Sequence, residues 1–399
     1  MNFRELGNDR PGQLSGDLRQ HPSRKEDKQW ESRLRAAHER WSARCNSNNR
    51  EMLLEANWHL PSPPEAALSD KVVLPEEDAF MNTDSFEPKH ITLGFIGLGN
   101  MGSRIVRRLL SSGYKTSIYS RRPRYTEVLE KEGATWAASV AELAQKSNVI
   151  LSCVTDDDAV RSVYTGPEGA LRHAKPGTVV LEMSTISPDT SREIARLGTE
   201  VGAHVLDVPI SGSTLAAERG ELILFVGGNP NVFEAVRPVF RAFAKGFFHI
   251  GPSGAGTTMK LVVNAILGIE MQAIAEAAAL GERAGLNRRI LLDVLSQTAV
   301  IAPAHLGKLG RAAIDEYCPQ FPLRLMNKDF RLIVDMARKE DAHIPATEAA
   351  FEVSNSALHT EGDQDFSAVV RFMEALNEES RVARAVLDGF GQVTRQMPR

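Results

Sequence analysis

Short apolar runs alternate with stretches of helical periodicity through the middle of the chain. The first apolar run covers residues 91–96, and apolar residues at helical spacing follow it in residues 103–110. Further predicted strands continue this rhythm at residues 115–119, 149–154, 177–181, 203–208 and 222–227. Such runs are typical of buried parallel strands, and the helical stretches between them indicate crossover connections. The pattern predicts an α/β fold with a doubly wound parallel sheet.

The pattern changes after Pro252. Residues 257–284 carry one long helical pattern that is rich in Ala and Leu and contains no Pro. Helical periodicity then continues to about residue 393 with almost no strand signal. We therefore expect an all-α C-terminal domain, joined to the sheet domain by the long helix. The active site is expected in the cleft between the two domains.

A glycine-rich turn follows the first predicted strand directly. Strand, G-x-G-x-x-G turn and helix are the context that a dinucleotide-binding fingerprint requires. In that context Gly97 allows the tight turn, Gly99 lets the backbone approach a pyrophosphate, and Gly102 lets the helix pack on the strand. An ordinary glycine-rich turn is the alternative. The candidate cofactor-binding residues of the turn are Gly97, Leu98, Gly99, Asn100, Met101 and Gly102.

The end of the second predicted strand indicates which dinucleotide is bound. An acidic residue usually stands there to bind the ribose 2′-hydroxyl of NAD, whereas an Arg accommodates the 2′-phosphate of NADP. This chain has Ser120, Arg121 and Arg122 at that point and no acid. Two planar guanidinium groups suit a phosphate, so we expect NADP, with NAD as the alternative. Two solvated surface arginines are the other interpretation.

Lys260 and Asn264 stand four residues apart near the start of the long helical pattern, so they share one face. Most lysines are solvated surface residues, but glycines close by at 254 and 256 allow close approach of a ligand. An ammonium group beside a carbonyl oxygen can stabilise the charge that hydride transfer creates and can donate the proton. Lys328 and Asp329 form a second candidate pair, for which a surface ion pair is the alternative.

The composition of the chain argues against nucleic acid, membranes and metal ions as binding partners. The 47 Lys and Arg against 51 Asp and Glu give a net charge of −4, which offers no sign of nucleic-acid binding. No run reaches the roughly 18 consecutive apolar residues of a membrane span. The three cysteines have neither paired nor metal spacing, and the ten histidines have no ligand spacing. We expect no metal and a reducing, cytoplasmic compartment.

The first 90 residues differ from the rest because they are charge-dense and rich in Asn, Ser and Pro, which is typical of disorder. Trp30 and Trp41, with Leu34 and Ala37 between them, allow one amphipathic helix. Met81 is an alternative position for the first residue of the protein. The sequence thus predicts an extension, a dinucleotide-binding domain and an all-α domain, with the bounds 1–90, 91–253 and 254–399.

From about residue 90 onwards the chain resembles the β-hydroxyacid dehydrogenases, a family that includes 3-hydroxyisobutyrate dehydrogenase and the glyoxylate/succinic semialdehyde reductases. The resemblance rests on five motifs: Gly-Phe-Ile-Gly-Leu-Gly-Asn-Met-Gly at 94–102, Ser-Thr at 184–185, Ser-Gly-Ser at 211–213, Lys-Leu-Val-Val-Asn at 260–264 and Lys-Asp at 328–329. It implies a Rossmann domain followed by a helical domain like that of 6-phosphogluconate dehydrogenase. It also implies a small carboxylic acid as the substrate.

The resemblance assigns roles to particular residues. Lys260 falls on the catalytic lysine, and Asn264 falls on the asparagine that orients the substrate. The other substrate-binding positions are Ser184, Ser211, Gly212 and Ser213. The cofactor-binding positions outside the glycine turn and the arginines are Val154, Thr155, Thr185, Gly256 and Lys328.

Three departures from the family pattern bear on the choice of substrate. Glu182 replaces the usual Asp before Ser-Thr, Ser213 replaces a Gly, and residues 154–155 are Val-Thr instead of Leu-Pro. The Ser-Gly-Ser and Lys-Leu-Val-Val-Asn motifs and the arginines are closer to the glyoxylate/succinic semialdehyde reductase branch.

These residues favour an NADPH-dependent reductase of a small aldehyde- or keto-acid. A dehydrogenase of the 3-hydroxyisobutyrate type, working in the oxidative direction, is the alternative within enzymes. A non-catalytic oligomerising or chromatin-associated module is the alternative from another class, and the presence of Lys260 argues against it. Imine reductases resemble this fold but usually lack Lys at this position. The Ala- and Leu-rich helical half favours a homodimer or homotetramer.

Overall fold

The computed structural model describes residues 83–122 and 126–378. The amphipathic helix expected around Trp30 to Trp41 lies outside the described residues, as does the helical periodicity after residue 378. Residues 83–90 do not behave as part of an extension. They begin with a 3₁₀ helix, Thr83–Phe86, whose Phe86 is buried in the sheet domain and accepts a hydrogen bond from the Tyr114 hydroxyl at 3.2 Å. The packed domain therefore begins by Thr83.

Nine strands form one sheet within the described residues. Their bounds are β1 Thr92–Ile96, β2 Lys115–Tyr119, β3 Thr135–Trp136, β4 Val149–Ser152, β5 Val179–Glu182, β6 His204–Asp207, β7 Ile210–Ser211, β8 Leu222–Gly227 and β9 Ala244–Gly251. The central strands β4 and β5 are buried at every residue. Burial on both faces is typical of parallel strands covered by helices.

The strand order is β3-β2-β1-β4-β5-β6-β8-β7, with β9 paired to β8. Strands β1 to β6 are all parallel, which confirms the predicted doubly wound parallel sheet. β8 runs antiparallel to β6 and β7 and parallel to β9. The order reverses between β1 and β4, and ligands of such sheets bind outside the carboxyl ends of the strands at that point.

Helices cover the sheet and then form the C-terminal part. Those of the sheet domain are α1 Gly102–Ser111, α2 Thr126–Lys131, α3 Val140–Lys146, α4 Asp157–Thr165, α5 Ala170–His173, α6 Pro188–Glu200, α7 Thr214–Arg219, α8 Pro230–Ala235 and α9 Arg237–Arg241. Those of the C-terminal part are α10 Ala255–Arg283, α11 Arg288–Leu295, α12 Pro303–Ala312, α13 Leu323–Lys339 and α14 Pro345–Glu361. A last helical stretch covers residues 369–378.

Helix α10 is the core helix of the C-terminal part. It packs against α13 and α14 and, at its start, against β8. It is also long and apolar enough to cross a membrane by composition, with 29 residues and a mean hydropathy of 1.4 over 18 of them. Polar residues still interrupt it, since Lys260, Asn264 and Glu270 lie within its first sixteen residues, so it is not a continuous apolar run. Its apolar character follows from packing, because Leu261, Met271, Ala275 and Ala278 lie in the helical core.

Candidate functional site

The glycine turn has the geometry that its sequence predicts. Gly97 has a φ of 98°, which favours glycine, and a Cβ there would lie 2.3 Å from the carbonyl oxygen of Cys153. A Cβ on Gly102 would lie 2.0 Å from the carbonyl oxygen of Gly97, so this glycine lets α1 pack closely. Beside Gly99, by contrast, there is open space around the Cβ position. Helix α1 has no side-chain cap, and the positive end of its dipole favours a phosphate at this N-terminus.

Ser120, Arg121 and Arg122 follow β2 at the same edge of the sheet. The Gly97 N–H donates to the Tyr119 carbonyl at 3.0 Å, which ties this strand end to the glycine turn. Both arginine side chains are exposed, and neither forms an ion pair with another described residue. Open space at Gly99, the uncapped helix and these free guanidinium groups are what a dinucleotide phosphate requires, so the residues fit NAD(P).

Val154 and Ser184 link the glycine turn to the next strand end. A Cβ on Gly97 would lie 3.1 Å from the Val154 side chain. The backbone N–H of Val154 donates to Ser184 Oγ at 2.8 Å, and the N–H of Ser184 donates to Glu182 Oε1 at 2.7 Å. Ser184 is therefore held on both sides, and its hydroxyl also lies close enough to Glu182 for a hydrogen bond that lowers the pKa of that carboxyl group. Thr155 is exposed beside Val154, and its hydroxyl donates to Asp156 at 3.0 Å.

Lys328 connects the helical part to this edge of the sheet. It lies on α13, and its Nζ donates to the backbone carbonyl of Thr185. The same ammonium group lies 2.8 Å from Asp329 Oδ1. Asp329 Oδ2 accepts from Asn264 Nδ2 on α10 at 2.6 Å. The ion pair is therefore not a surface feature, because it joins Thr185, α13 and α10.

Lys260 lies one turn before Asn264 on α10 and is partly buried. Burial lowers its pKa to about 8. The positive charge of Lys328 adds to this lowering of the Lys260 pKa, and the carboxylate of Asp329 opposes it. A pKa near working pH is what a general acid or base requires, and such values cluster at functional sites. Lys260, Asn264, Lys328 and Asp329 thus form one electrostatic group.

Asn264 is almost fully buried, with an exposed fraction of 2%. Since Asp329 accepts from its Nδ2, the amide orientation is fixed and Oδ1 points the other way. That oxygen finds no hydrogen-bond donor among the described residues. A buried acceptor without a partner is costly, so the Asn264 amide is suited to receive a donor from a ligand.

The loop Ser211-Gly212-Ser213 lies between β7 and α7. Gly212 has a φ of 137°, and Ser213 caps α7 by accepting from the Ala216 N–H at 3.2 Å. Arg104 connects this region to the glycine turn, because it donates to the Asn100 carbonyl at 2.7 Å and to Glu218 of α7 at 2.7 Å. The structure shows no direct contact between the loop and Lys260, so the loop's substrate role stays a prediction.

Gly256 has a packing role, and its contact with the cofactor stays a prediction. A Cβ there would lie 2.5 Å from the Phe225 carbonyl oxygen and 2.8 Å from that of Asp207. Protein backbone fills the space beside Gly256, so this glycine lets α10 pack against the sheet and does not open space for a cofactor.

Asp207 was missed by sequence reasoning. It is the last residue of β6, it is 3% exposed, and its carboxylate accepts from the N–H groups of Gly254 and Thr257, each at 2.8 Å. The carboxylate caps the start of α10, one turn before Lys260. An acid at the end of an otherwise apolar strand was the available signal.

Comparisons with known proteins match both parts of the chain. Residues 92–251 match the family model described as the NAD binding domain of 6-phosphogluconate dehydrogenase. Residues 254–373 match the model described as the NAD-binding domain of NADP-dependent 3-hydroxyisobutyrate dehydrogenase. The chain is similar to glyoxylate/succinic semialdehyde reductase 1 of Arabidopsis thaliana, with 33% identity over 287 residues, 72% of this chain and 99% of the relative.

The chain is also similar to a solved dehydrogenase structure and to a nuclear factor. The crystal structure of 3-hydroxyisobutyrate dehydrogenase from Salmonella typhimurium superposes with a TM-score of 0.66 at 30% identity, covering 70% of this chain and 99% of that one. The cytokine-like nuclear factor N-PAC of Danio rerio is 32% identical over 289 residues, 72% of this chain and 63% of its own length.

Fold and site together define an NAD(P)-dependent oxidoreductase that acts on hydroxyacids. The chain belongs to the β-hydroxyacid dehydrogenase family.

Proposed function

We propose that the protein is an NADPH-dependent reductase of a small aldehyde- or keto-acid, with Lys260 as the proton donor. The observation that carries the proposal is the group around Lys260. Its pKa is lowered to about 8 by burial, and Asn264 beside it presents an unpartnered amide oxygen. Both features point to a substrate oxygen at this place.

The chain's own residues complete the reaction in the following way. Bound NADPH supplies the hydride that adds to the carbonyl carbon of the substrate. The ammonium group of Lys260 stabilises the oxygen as it becomes negative and gives it a proton, and the lysine then regains a proton from solvent. Asn264 Oδ1 accepts from the new hydroxyl group and so orients it.

Two sets of hydroxyl and N–H groups bind the remainder of the molecule. The Ser184 hydroxyl, whose oxygen accepts from the Val154 N–H, would turn its hydrogen from Glu182 to the substrate when the substrate binds. The loop Ser211-Gly212-Ser213 offers polar groups to the substrate carboxylate. Arg121 and Arg122, which are exposed and unpaired within the described residues, favour the 2′-phosphate of NADPH.

Two alternatives are weighed against this proposal. A dehydrogenase of the 3-hydroxyisobutyrate type would use the same groups in the oxidative direction, with neutral Lys260 accepting the proton. A non-catalytic module of the kind suggested by the similarity to N-PAC has no use for a lysine whose pKa is lowered toward neutrality. The Lys260 group therefore favours an enzyme.

The test is the kinetics of Lys260→Met with glyoxylate, succinic semialdehyde and related aldehyde acids. Loss of the general acid is expected to lower kcat by about 10²- to 10⁴-fold. NADPH binding, measured by fluorescence titration, is expected to persist. The reduction rate of the wild type should fall as pH rises through about 8, where Lys260 loses its proton.

Lys245→Met is the matched control, because Lys245 is an exposed lysine on β9. A Lys260→Met variant that keeps the wild-type kcat would exclude Lys260 as the proton donor. Rates measured in both directions decide between the reductase and the dehydrogenase.

A further inference from the structure

A buried carboxylate with two hydroxyl partners lies behind the Ser184 turn. Glu182 ends β5 and is 2% exposed. Its Oε1 accepts from the Ser184 N–H at 2.7 Å, and its Oε2 accepts from the Ser152 hydroxyl. Ser152 Oγ lies 2.5 Å from the hydroxyl of Tyr164, which is fully buried on α4. Ser152 is paired with Glu182 in the β4–β5 register.

The hydrogens of this network match its acceptors only when Glu182 is ionised. Tyr164 then donates to Ser152, Ser152 donates to one carboxylate oxygen, and the Ser184 N–H donates to the other. Protonation adds one hydrogen to oxygens that are already paired, so Ser152, Tyr164 and the carboxyl group then compete for the same acceptors. It also removes the charge that strengthens the hydrogen bond from Ser184.

Few titratable groups face this carboxylate. The pKa of Tyr164 is raised well above its ordinary value, and that of the neighbouring Cys153 thiol is raised to about 12, in both cases chiefly by burial and secondly by the charge of Glu182. Asp207 is its register neighbour on β6, and its carboxylate is bound to Gly254 and Thr257. Burial raises the pKa of Glu182 itself to about 6, although its hydrogen bonds lower it. Glu182 is therefore the member of this cluster that titrates just below neutrality.

We propose that Glu182 is a positioning residue whose ionised carboxylate holds the Ser184 turn in its substrate-binding geometry, so that protonation of Glu182 weakens substrate binding. The inference rests on the proposed function, because Ser184 is taken as a substrate contact. The longer Glu side chain, in place of the Asp usual in the family, makes the contact with Ser152. The group acts through Ser184 and does not touch the substrate.

The experiment measures KM and kcat for glyoxylate with saturating NADPH between pH 5 and pH 8. The carboxyl group of glyoxylate itself titrates well below this range. In the wild type KM is expected to rise about tenfold between pH 7 and pH 5, while kcat stays within about twofold. Glu182→Gln is expected to have a raised KM that no longer changes with pH in this range.

Tyr164→Phe gives a second test that does not depend on the folding of Glu182→Gln. It removes a hydroxyl whose hydrogen bonding lowers the pKa of Glu182, so it favours the neutral carboxyl group and should move the break in KM to higher pH. Tyr114→Phe is the matched control, since it removes another buried tyrosine hydroxyl that donates to Phe86, away from the network. It should leave the break unchanged.

An independent measurement separates this inference from the proposed function. Carbon NMR of protein labelled at the glutamate carboxyl carbons follows the titration of Glu182 directly, and the signal is assigned by its loss in Glu182→Gln or by its shift in Tyr164→Phe. Absence of activity toward every aldehyde acid would refute the proposed function while this titration is still seen. A break in KM that persists in Glu182→Gln, or that stays in place in Tyr164→Phe, would overturn the positioning role.

Discussion

Arg121 and Arg122 are expected to set the preference for NADPH over NADH. Each charge-assisted contact with the 2′-phosphate contributes about 1.5–3 kcal/mol. Replacing both arginines by Ala is therefore expected to lower the preference for NADPH over NADH by about 10²-fold or more, with little change in KM for NADH. The measurement is the ratio of kcat/KM for the two cofactors.

Arg107→Ala serves as the control for that comparison, because Arg107 is a surface arginine paired with Glu132. Equal kcat/KM values for NADH and NADPH in the wild type would contradict the NADP proposal.

Single residues also show where sequence reasoning reaches its limit. Lys260, Asn264, Ser184 and Lys328 could be proposed as site residues because each lies in a local motif, and the structure joins Lys328 to Thr185 and Asn264 to Asp329. The partners of Glu182 could not be found, because Ser152 and Tyr164 lie 30 and 18 positions earlier in the chain and only the folded sheet brings them together. A lone Ser or Tyr carries no periodic signal of such a contact.

Gly99 and Gly256, at the starts of two helices, are expected to respond differently to substitution by Ala. Around a Cβ on Gly99 there is open space, so Gly99→Ala should leave stability nearly unchanged but weaken NADPH binding, because the methyl group enters the phosphate cradle. A Cβ on Gly256 would meet backbone at 2.5 Å, so Gly256→Ala should lower the free energy of unfolding by about 1–3 kcal/mol.

Urea denaturation and fluorescence titration with NADPH measure the two effects separately. The packing argument fails if Gly256→Ala is as stable as the wild type, and the cradle argument fails if Gly99→Ala binds NADPH with unchanged affinity.

Elements were predictable where their pattern is long. Strand β2, strand β8 and most of α10 lie where the apolar pattern indicates. Strands β3 and β7 have two residues each, too few for a period-two pattern to be recognised. Strand β9 was missed because its eight residues are mostly half-buried or exposed, so no apolar run marks it.

The surface of α10 predicts that copies of the chain associate. The Ala- and Leu-rich segment of α10 divides between two faces, since Ala275, Ala278 and Ala279 are buried in the core. An opposite face stays exposed, with exposed fractions of 47% at Val262, 63% at Ile266 and 71% at Leu280. Exposed apolar stripes of this kind mark association surfaces. We propose that a second copy of the chain covers the exposed apolar stripe on α10.

The double substitution Ile266→Asp and Leu280→Asp is expected to lower the mass found by sedimentation equilibrium at micromolar concentration. Val128→Asp is the matched control, because Val128 is 47% exposed on α2, in the other domain. A wild type that sediments only as a monomer would refute the proposal.

The cap that Asp207 places on α10 has a mechanical consequence. Because the carboxylate grips the first turn of a helix about 43 Å long, this end of α10 must move with the sheet. Lys260 lies one turn beyond this cap on α10. Lys328, which donates to the Thr185 carbonyl, lies on α13. Because α10 also packs against α13 and Asn264 donates to Asp329, the same cap ties Lys328 and Asp329 to the sheet through α10. A rotation of the helical part relative to the sheet would therefore have to bend α10 beyond its capped first turn.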